Sequence, residues 1–383
     1  MKKRIVKYFL PFLWGLSIGC IQNESTEKDT WAFKPFIKAD AVNPVITPRH
    51  STEFFCPVRG TKVKWEEKDV FNPAAVVKDG KIFLLYRAED TVGRHAGTSR
   101  IGLAVSEDGF NFTRFDEPVL YPDNDDFKRL EWEGGCEDPR IVEDEGGTYY
   151  MTYTAYDGHT ARLCIATSSD LQHWTKHGSV FKNAGENYAE MWSKAGSIVC
   201  RLKGEKLIAT QINHYYWMYF GESNIYLAYS KDLIEWTPVR ASEVLSTDEA
   251  FGHSRDKRIL KPVLSPRRRF FDSRLVEPGP PAVITQHGIL LIYNSSNSRL
   301  LGDPNLPYGT YAAGQALFKV GEPETIINRL QSTFFKPEKP YEITGQVNNV
   351  CFLQGLVFFK GKWLLYYGTA DSKIAVATYS PEK

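Results

Sequence analysis

The sequence lacks an excess of either charge. Lys and Arg number 47 against 46 Asp and Glu, a formal net charge of +1, so no basic field is available to hold a nucleic acid. Cysteine is scarce and poorly spaced for metal: Cys20, Cys56, Cys136, Cys164, Cys200 and Cys351 form no CxxC or CxxH pair. That argues against a zinc site and a disulfide framework. Cys164 and Cys200 fall in apolar strand-like runs and read as buried thiols. Neither a nucleophile elbow nor a glycine-rich phosphate loop is present, and no cofactor is implied. Helix signals are nearly missing, with "PETIINRL" (323–330) as a short-turn candidate.

One apolar run stands at the N-terminus. "MKKRIVKY" is basic, and "FLPFLWGLSIG" is too short for a stable span and about right for an export signal. "SIGC" resembles a bacterial lipoprotein cleavage box with Cys20 as the lipidated residue. The expectation is therefore a signal peptide over 1–19, a polar tether over 20–37 and one catalytic domain over 38–383. The protein would be exported to the periplasm or outer membrane, touching the membrane only through a lipid anchor. Plain secretion is the alternative. Nothing in the sequence fixes an oligomeric state.

Aromatics are abundant, at 14% of the chain, which suits both β-rich cores and platforms for sugar faces. A repeat organises them. "IGLAVSEDGFNFTRF" (101–115), "LCIATSSDLQHWTKH" (163–177) and "IYLAYSKDLIEWTPV" (225–239) each show an alternating strand, a Ser, an Asp-centred turn and an aromatic. Five hairpins share a second plan, beginning near residues 74, 139, 196, 281 and 355: an apolar strand, a turn containing Gly, and a strand ending in polar residues. Five such units predict an all-β, five-bladed β-propeller; a β-sandwich could use the same hairpins but does not require them to recur.

In a propeller the inner strands converge on one axis, where small molecules usually bind. The strand ends here are "YRAED", "CEDPR", "TAYD", "LVEPGPP" and "GTAD". Carboxylates recur at them more than a scaffold needs, although a single strand-end Asp is usually a turn cap. "EWEGGCEDPRIV" (131–142) is the densest example. Gly134 and Gly135 permit close backbone approach and Pro139 fixes direction, so Glu137, Asp138 and Arg140 are expected on the pocket floor.

The series "FNPAAV", "YRAED", "SEDGFNF", "GGCEDPRI", "TAYDG", "SKAG", "GPPAV" and "YYGTADSKIAVA", running from Asn72 to Ala377, resembles glycoside hydrolase family 130, the mannoside phosphorylases and β-mannosidases. The resemblance implies a five-bladed propeller acting on a mannose-containing oligosaccharide. It makes Asp138 the catalytic acid, delivering its proton through the mannosyl 3-hydroxyl. Asn72, Arg87, Asp90, Asp108, Arg140 and Asp371 match positions that would hold the terminal mannose, and Glu137, Tyr156, Asp157 and Lys194 complete the expected substrate-binding set.

Departures from the pattern point to hydrolysis. Lys194 is kept, but Gln211, Ile212 and Asn294 stand where phosphorylases show cationic residues, and "VEPGPP" introduces Glu277. Phosphate needs positive charge, whereas water needs a general base. Glu277 is read as that base, with Glu222 after the aromatic run "HYYWMYF" as a second candidate. A structural ion pair of Glu277 with Arg274 or another neighbour is the plain alternative. The reading is an exo-acting, inverting β-1,2-mannosidase; the alternatives are a phosphate-dependent mannoside phosphorylase and a non-catalytic glycan-binding propeller.

Overall fold

The computed structural model describes residues 29–95, 97–185, 188–241 and 260–381. The expected signal peptide and Cys20 lie outside the described residues. Asp29–Trp31 form a turn, and a single compact unit begins at Ala32.

The chain folds as a five-bladed β-propeller. Blade one runs Asp69–Lys78, Lys81–Glu89, Ser99–Ser106 and Thr113–Arg114, each strand antiparallel to the next. Blade two repeats this with Gly135–Glu143, Tyr149–Tyr156, Ala161–Ser168 and Thr175–Ser179. In blade three the inner strand Ser197–Lys203 faces a second strand split into Lys206–Ala209 and Tyr216–Phe220, followed by Tyr226–Ser230 and Trp236–Pro238. In blade four the inner strand is the split one, Leu275–Pro278 and Ala282–Thr285, before Gly288–Ser296, Tyr311–Lys319 and Glu322–Arg329. "PETIINRL" is thus mainly an outer strand and not a helical turn: Ile326 and Asn328 pair with Phe318 and Leu317, and its β-branched residues suit that role.

Blade five closes the ring from both ends of the chain. Cys351–Phe359, Lys362–Thr369 and Lys373–Tyr379 supply three strands, and Ile37–Lys38 pairs with Thr378 and Ala377 as the fourth. Packing begins earlier than the expected boundary at residue 38. The Phe33 backbone exchanges two hydrogen bonds with the Gln315 side chain, and Phe36 is buried.

Blades pack face to face, so inner and middle strands are apolar on both sides. Alternation along one strand divides these faces: Leu84 joins a cluster with Val357 and Leu364 of blade five, and Leu85 one with Ile141 and Met151 of blade two. All five described cysteines are free and buried.

The first repeat proves to be a turn motif. Ser106, Ser168 and Ser230 each accept from the backbone N–H groups two and three residues on, while Asp108, Asp170 and Asp232 each cap the next turn through Oδ1. Strand register places these turns at one end of the blades. Ser106 pairs with Ile82 beside the Lys78–Lys81 hairpin, whereas Asn72 and Arg87 lie toward the other end.

Candidate active site

Every inner strand or its entry is interrupted at an equivalent point near the axis. Register shifts occur at Phe71/Ala74, Glu137/Arg140 and Leu353/Gly355, and blade four breaks between Pro278 and Ala282. The sequence explains the position. Pro73, Pro139 and Pro280 cannot donate to a ladder, and bulges are where a strand tolerates proline. Asn72 and Asp138 take φ of 47° and 51° there, and Ala195 takes 56° just before blade three.

The carbonyls released by these bulges are satisfied by buried side chains, mostly from other blades. Gln354 Nε2 donates to the carbonyls of Asn72 and Pro139 at 2.9 and 2.6 Å. Arg140 donates to Gly279 and Pro278, both at 2.7 Å, and to Asp138 at 3.2 Å. Ser197 Oγ donates to Pro280 O and Asn294 Nδ2 to Leu353 O. Such accounting is required, because an orphaned buried carbonyl costs about 1–3 kcal/mol.

Above this ring lies a pocket of about 150 Å³, whose charged and polar lining includes Asn72, Arg87, Asp138, Lys194, Glu222, Glu277, Tyr311 and Asp371. A wider cleft of about 870 Å³ runs past Asp116, Tyr121 and Trp174, but the buried carboxyls converge on the smaller one. Asp138 Oδ1 accepts from Asn72 Nδ2 at 2.9 Å and from Arg87 at 3.3 Å, and Lys194 Nζ stands 3.8 Å from Oδ2. Arg87 also holds Glu89 at 2.7 Å and Glu137 at 3.0 Å, and Lys194 is 3.9 Å from Glu137.

Electrostatics separates the carboxyls. Burial alone would raise Asp138, but Arg87, Lys194 and the Asn72 hydrogen bond outweigh it and bring the pKa down to about 2. Glu277 shows the reverse: burial, reinforced by Glu222, pushes it up to about 8 against the pull of Lys194 and Arg140. Burial raises Asp371 to about 7 despite Arg87. Glu137 is raised by burial, even though it shares Arg87 and Lys194 with Asp138. Of that adjacent pair Asp138 is the one pulled down, and it alone receives the Asn72 donor. Glu277 is not paired with Arg274; among the described residues its ion-pair contact is Arg140 at 4.0 Å.

Several expected residues lie elsewhere. Asp108 sits in the turn at the opposite end of blade one. Asp90 is fully buried, pairs with Arg100 at 2.8 Å and accepts from the N–H groups of Val92, Gly93 and Thr98, so it organises a loop. Asp157 is committed to Arg162 at 2.7 Å and two backbone N–H groups, and the Tyr156 hydroxyl donates to Gly158 O. Arg140 is beneath the pocket, not in it, its donors turned to carbonyls. Gln211 and Ile212 fall in the break of blade three's second strand, and Asn294 serves a bulge. The run "HYYWMYF" is largely that strand, with Met218, Tyr219 and Phe220 in the core. Phe71, Phe352 and Tyr311 line the pocket but went unnamed from sequence. Tyr311 carries no motif, although its hydroxyl is raised to about 12 by burial and by Glu277 and Glu222.

The segment 131–142 can now be accounted for charge by charge. Glu131 is buried against Lys176 at 2.6 Å and the Tyr153 hydroxyl at 2.8 Å, and Glu133 meets Arg59. Gly135 has φ of +114°, and a Cβ there would stand 2.2 Å from Ser99 O, so the blade-to-blade bridge that aims Asp138 requires glycine.

Comparison with known proteins identifies the family. The glycoside hydrolase family 130 model, described as β-1,4-mannooligosaccharide phosphorylase, matches residues 45–383. A 1,2-β-oligomannan phosphorylase of Thermoanaerobacter sp. (strain X514) is 31% identical over 87% of this chain and 94% of its own. A glycosyl hydrolase of Bacteroides ovatus superposes with a TM-score of 0.86 at 45% identity, covering 92% of this chain and 95% of its own. Another solved structure, at 46% identity, a TM-score of 0.86 and coverage of 92% and 96%, comes from a description of family members that are glycoside hydrolases targeting β-1,2-mannosidic linkages in Candida mannan. With a family match across nearly all of the propeller, the chain belongs to glycoside hydrolase family 130.

Proposed function

We propose that the protein is an exo-acting, inverting β-mannosidase that hydrolyses β-1,2-linked mannosides. The mannoside substrate is suggested by the relatives. The observation that carries hydrolysis is the pocket's charge. Arg87 and Lys194 both already face Asp138 and Glu137, while Glu222, Glu277 and Asp371 complete a wall rich in carboxyls. Phosphate entering beside Glu222 would meet like charge at short range, and beside Glu277 it would oppose the ionised form that a base must take. A pocket of about 150 Å³ suits one sugar ring, which favours removal of terminal residues.

In this reading water attacks the anomeric carbon, giving its proton to Glu277, with Glu222 helping to orient it. The glycosidic C–O bond breaks as Asp138 supplies a proton to the leaving oxygen through the mannosyl 3-hydroxyl. The ligand-free site holds the proton on Glu277 and leaves Asp138 ionised, the inverse of what the step needs. Lys194 acts on both carboxyls, so its shift toward Glu277 as sugar enters would exchange their protonation. Consequently kcat/KM should fall above about pH 8, where Glu277 releases the proton the pair must share.

The phosphorolytic alternative is supported by the family model and the 31%-identical relative, both described as phosphorylases, and in the structure by Arg274, an exposed cation whose charge reaches Tyr311 in the pocket wall. Incubation with β-1,2- and β-1,4-mannobiose, with and without phosphate, separates the readings. Free α-mannose appearing before mutarotation, without phosphate dependence, is expected from the β-1,2 substrate. Mannose 1-phosphate formed only with phosphate would establish the alternative, and binding without turnover would leave a glycan-binding propeller. Export with a lipid anchor at Cys20 is proposed from sequence alone; Cys20→Ser should move the protein from the membrane to the soluble fraction.

A further inference from the structure

The pocket has room for one ring, so the sugar being released must rest over its mouth. Beyond the aromatics that line the pocket itself, Trp192 is tied to its wall: it is 52% exposed and its Nε1 donates to Glu222 Oε2 at 3.0 Å. Further rings extend outward from it. Tyr156 meets Trp192 edge-on at 6.5 Å, His95 meets Tyr156 at 6.0 Å, and His159 meets His95 at 6.3 Å. They come from blades one and two and the segment that leads into blade three, and Gly158 makes the space for His95, since a Cβ there would stand 2.3 Å from its Nε2. The charges behind this row are already occupied: Asp157 and Glu190 are both bound by Arg162.

Building on the mannosidase reading above, we propose that Trp192 is the platform for the leaving sugar, its ring face stacking on that sugar while its N–H fixes Glu222. The two roles are physically coupled. A rotation of the indole that lost the sugar would also release the carboxylate that helps to orient water. Stacking uses the apolar C–H face of a pyranose and tolerates different hydroxyl patterns, so the platform would accept a mannose leaving group without reading its linkage. Trp192 is thus a binding and positioning residue and takes no proton itself.

The test uses the full protein in two formats. In an Asp138→Asn background, titration calorimetry compares mannose with β-1,2-mannobiose. Adding Trp192→Ala should weaken mannobiose binding roughly tenfold or more while leaving mannose binding unchanged. In the active enzyme, Trp192→Phe keeps a ring but loses the N–H, and should hold KM near normal while lowering kcat. Equal affinity for mannobiose with and without Trp192, or equal losses for both sugars, would overturn the platform; an unchanged kcat in Trp192→Phe would remove its hold on Glu222. If the Asp138→Asn protein with Trp192 intact binds neither sugar, the mannoside reading itself fails, which is a different result from selective loss.

Discussion

Asp138 and Glu277 occupy one pocket and experience opposite fields, and their variants should separate on stability as well as on rate. Both Asp138→Asn and Glu277→Gln should lose at least two orders of magnitude in turnover, the usual worth of a positioned acid or base. Glu277 has a folded pKa of about 8 against an ordinary 4.5. Between those values the folded state holds a proton that the unfolded chain has lost, so stability falls as pH rises through the window. Glutamine removes that penalty, and Glu277→Gln should melt a few degrees above wild type at pH 8 and level with it near pH 4. Asp138, at about 2 against an ordinary 3.8, contributes stability above pH 4 that is lost as pH falls toward 2. Asp138→Asn should therefore melt below wild type at neutral pH, with Arg87 and Lys194 left facing a neutral amide. Thermal unfolding of the three proteins across pH is the measurement, and a Glu277→Gln protein no more stable than wild type at pH 8 would count against the buried, protonated Glu277. Which carboxylates would matter was partly legible from sequence. Asp108 was the avoidable misplacement, because Asp170 and Asp232 stand at the same point of the same repeat, and a residue repeated in three blades serves the blades.

At the scale of one element, the bulge decides what the inner strands present to the pocket. On a regular strand residues i and i+2 share a face, which would set Arg140 beside Asp138. The extra residue at Asp138–Pro139 breaks that alternation: Asp138 turns to the pocket, and Arg140 reaches the carbonyls of Gly279 and Pro278. Proline and glycine in "FNPAAV", "CEDPRIV" and "EPGPPAV" did mark the interruption, but the side chains that satisfy its carbonyls come from other blades and leave no local trace. Gln354 is the clearest case, because its amide joins the bulges that carry Asn72 and Asp138. Gln354→Leu keeps the volume and orphans two buried carbonyls, which should cost about 2–4 kcal/mol of stability. It should also lower kcat more than it raises KM, since the displaced group is the acid rather than the pocket rim. A Gln354→Leu enzyme with normal kcat and a normal melting temperature would show that the carbonyl ring has no part in aiming Asp138. Gln354→Glu is the companion variant. It keeps one acceptor-rich end but removes the amide donors, and should not restore activity.

Over the whole molecule, the propeller was legible because the hairpins recur, whereas its closure was not, because a two-residue strand has no pattern to detect. Ile37–Lys38 fills the outer position of blade five, so the first and last described parts of the unit must meet before the ring is complete. Side chains reinforce the join: Lys38 Nζ binds Glu342 at 2.7 Å, and Phe36 packs against Phe334 and Tyr379 at centroid distances of 6.3 and 5.5 Å. The closure lies three strands outward from the inner strand that faces the axis, roughly 15 Å at the usual strand spacing. It can therefore govern stability without touching the chemistry. Phe36→Ala should lower stability by about 3 kcal/mol, the range for emptying a buried phenylalanine site. Because the ring is closed by that segment, the loss should appear as earlier unfolding of the whole domain and not as fraying of one edge. Calorimetry should show a single transition at lower temperature, and mannoside turnover measured well below it should match wild type. Reduced turnover at low temperature would mean that the outer strand reaches the pocket after all. Two separated transitions would mean that blade five opens alone, and that the ring is held by its inner strands rather than by the meeting of its ends.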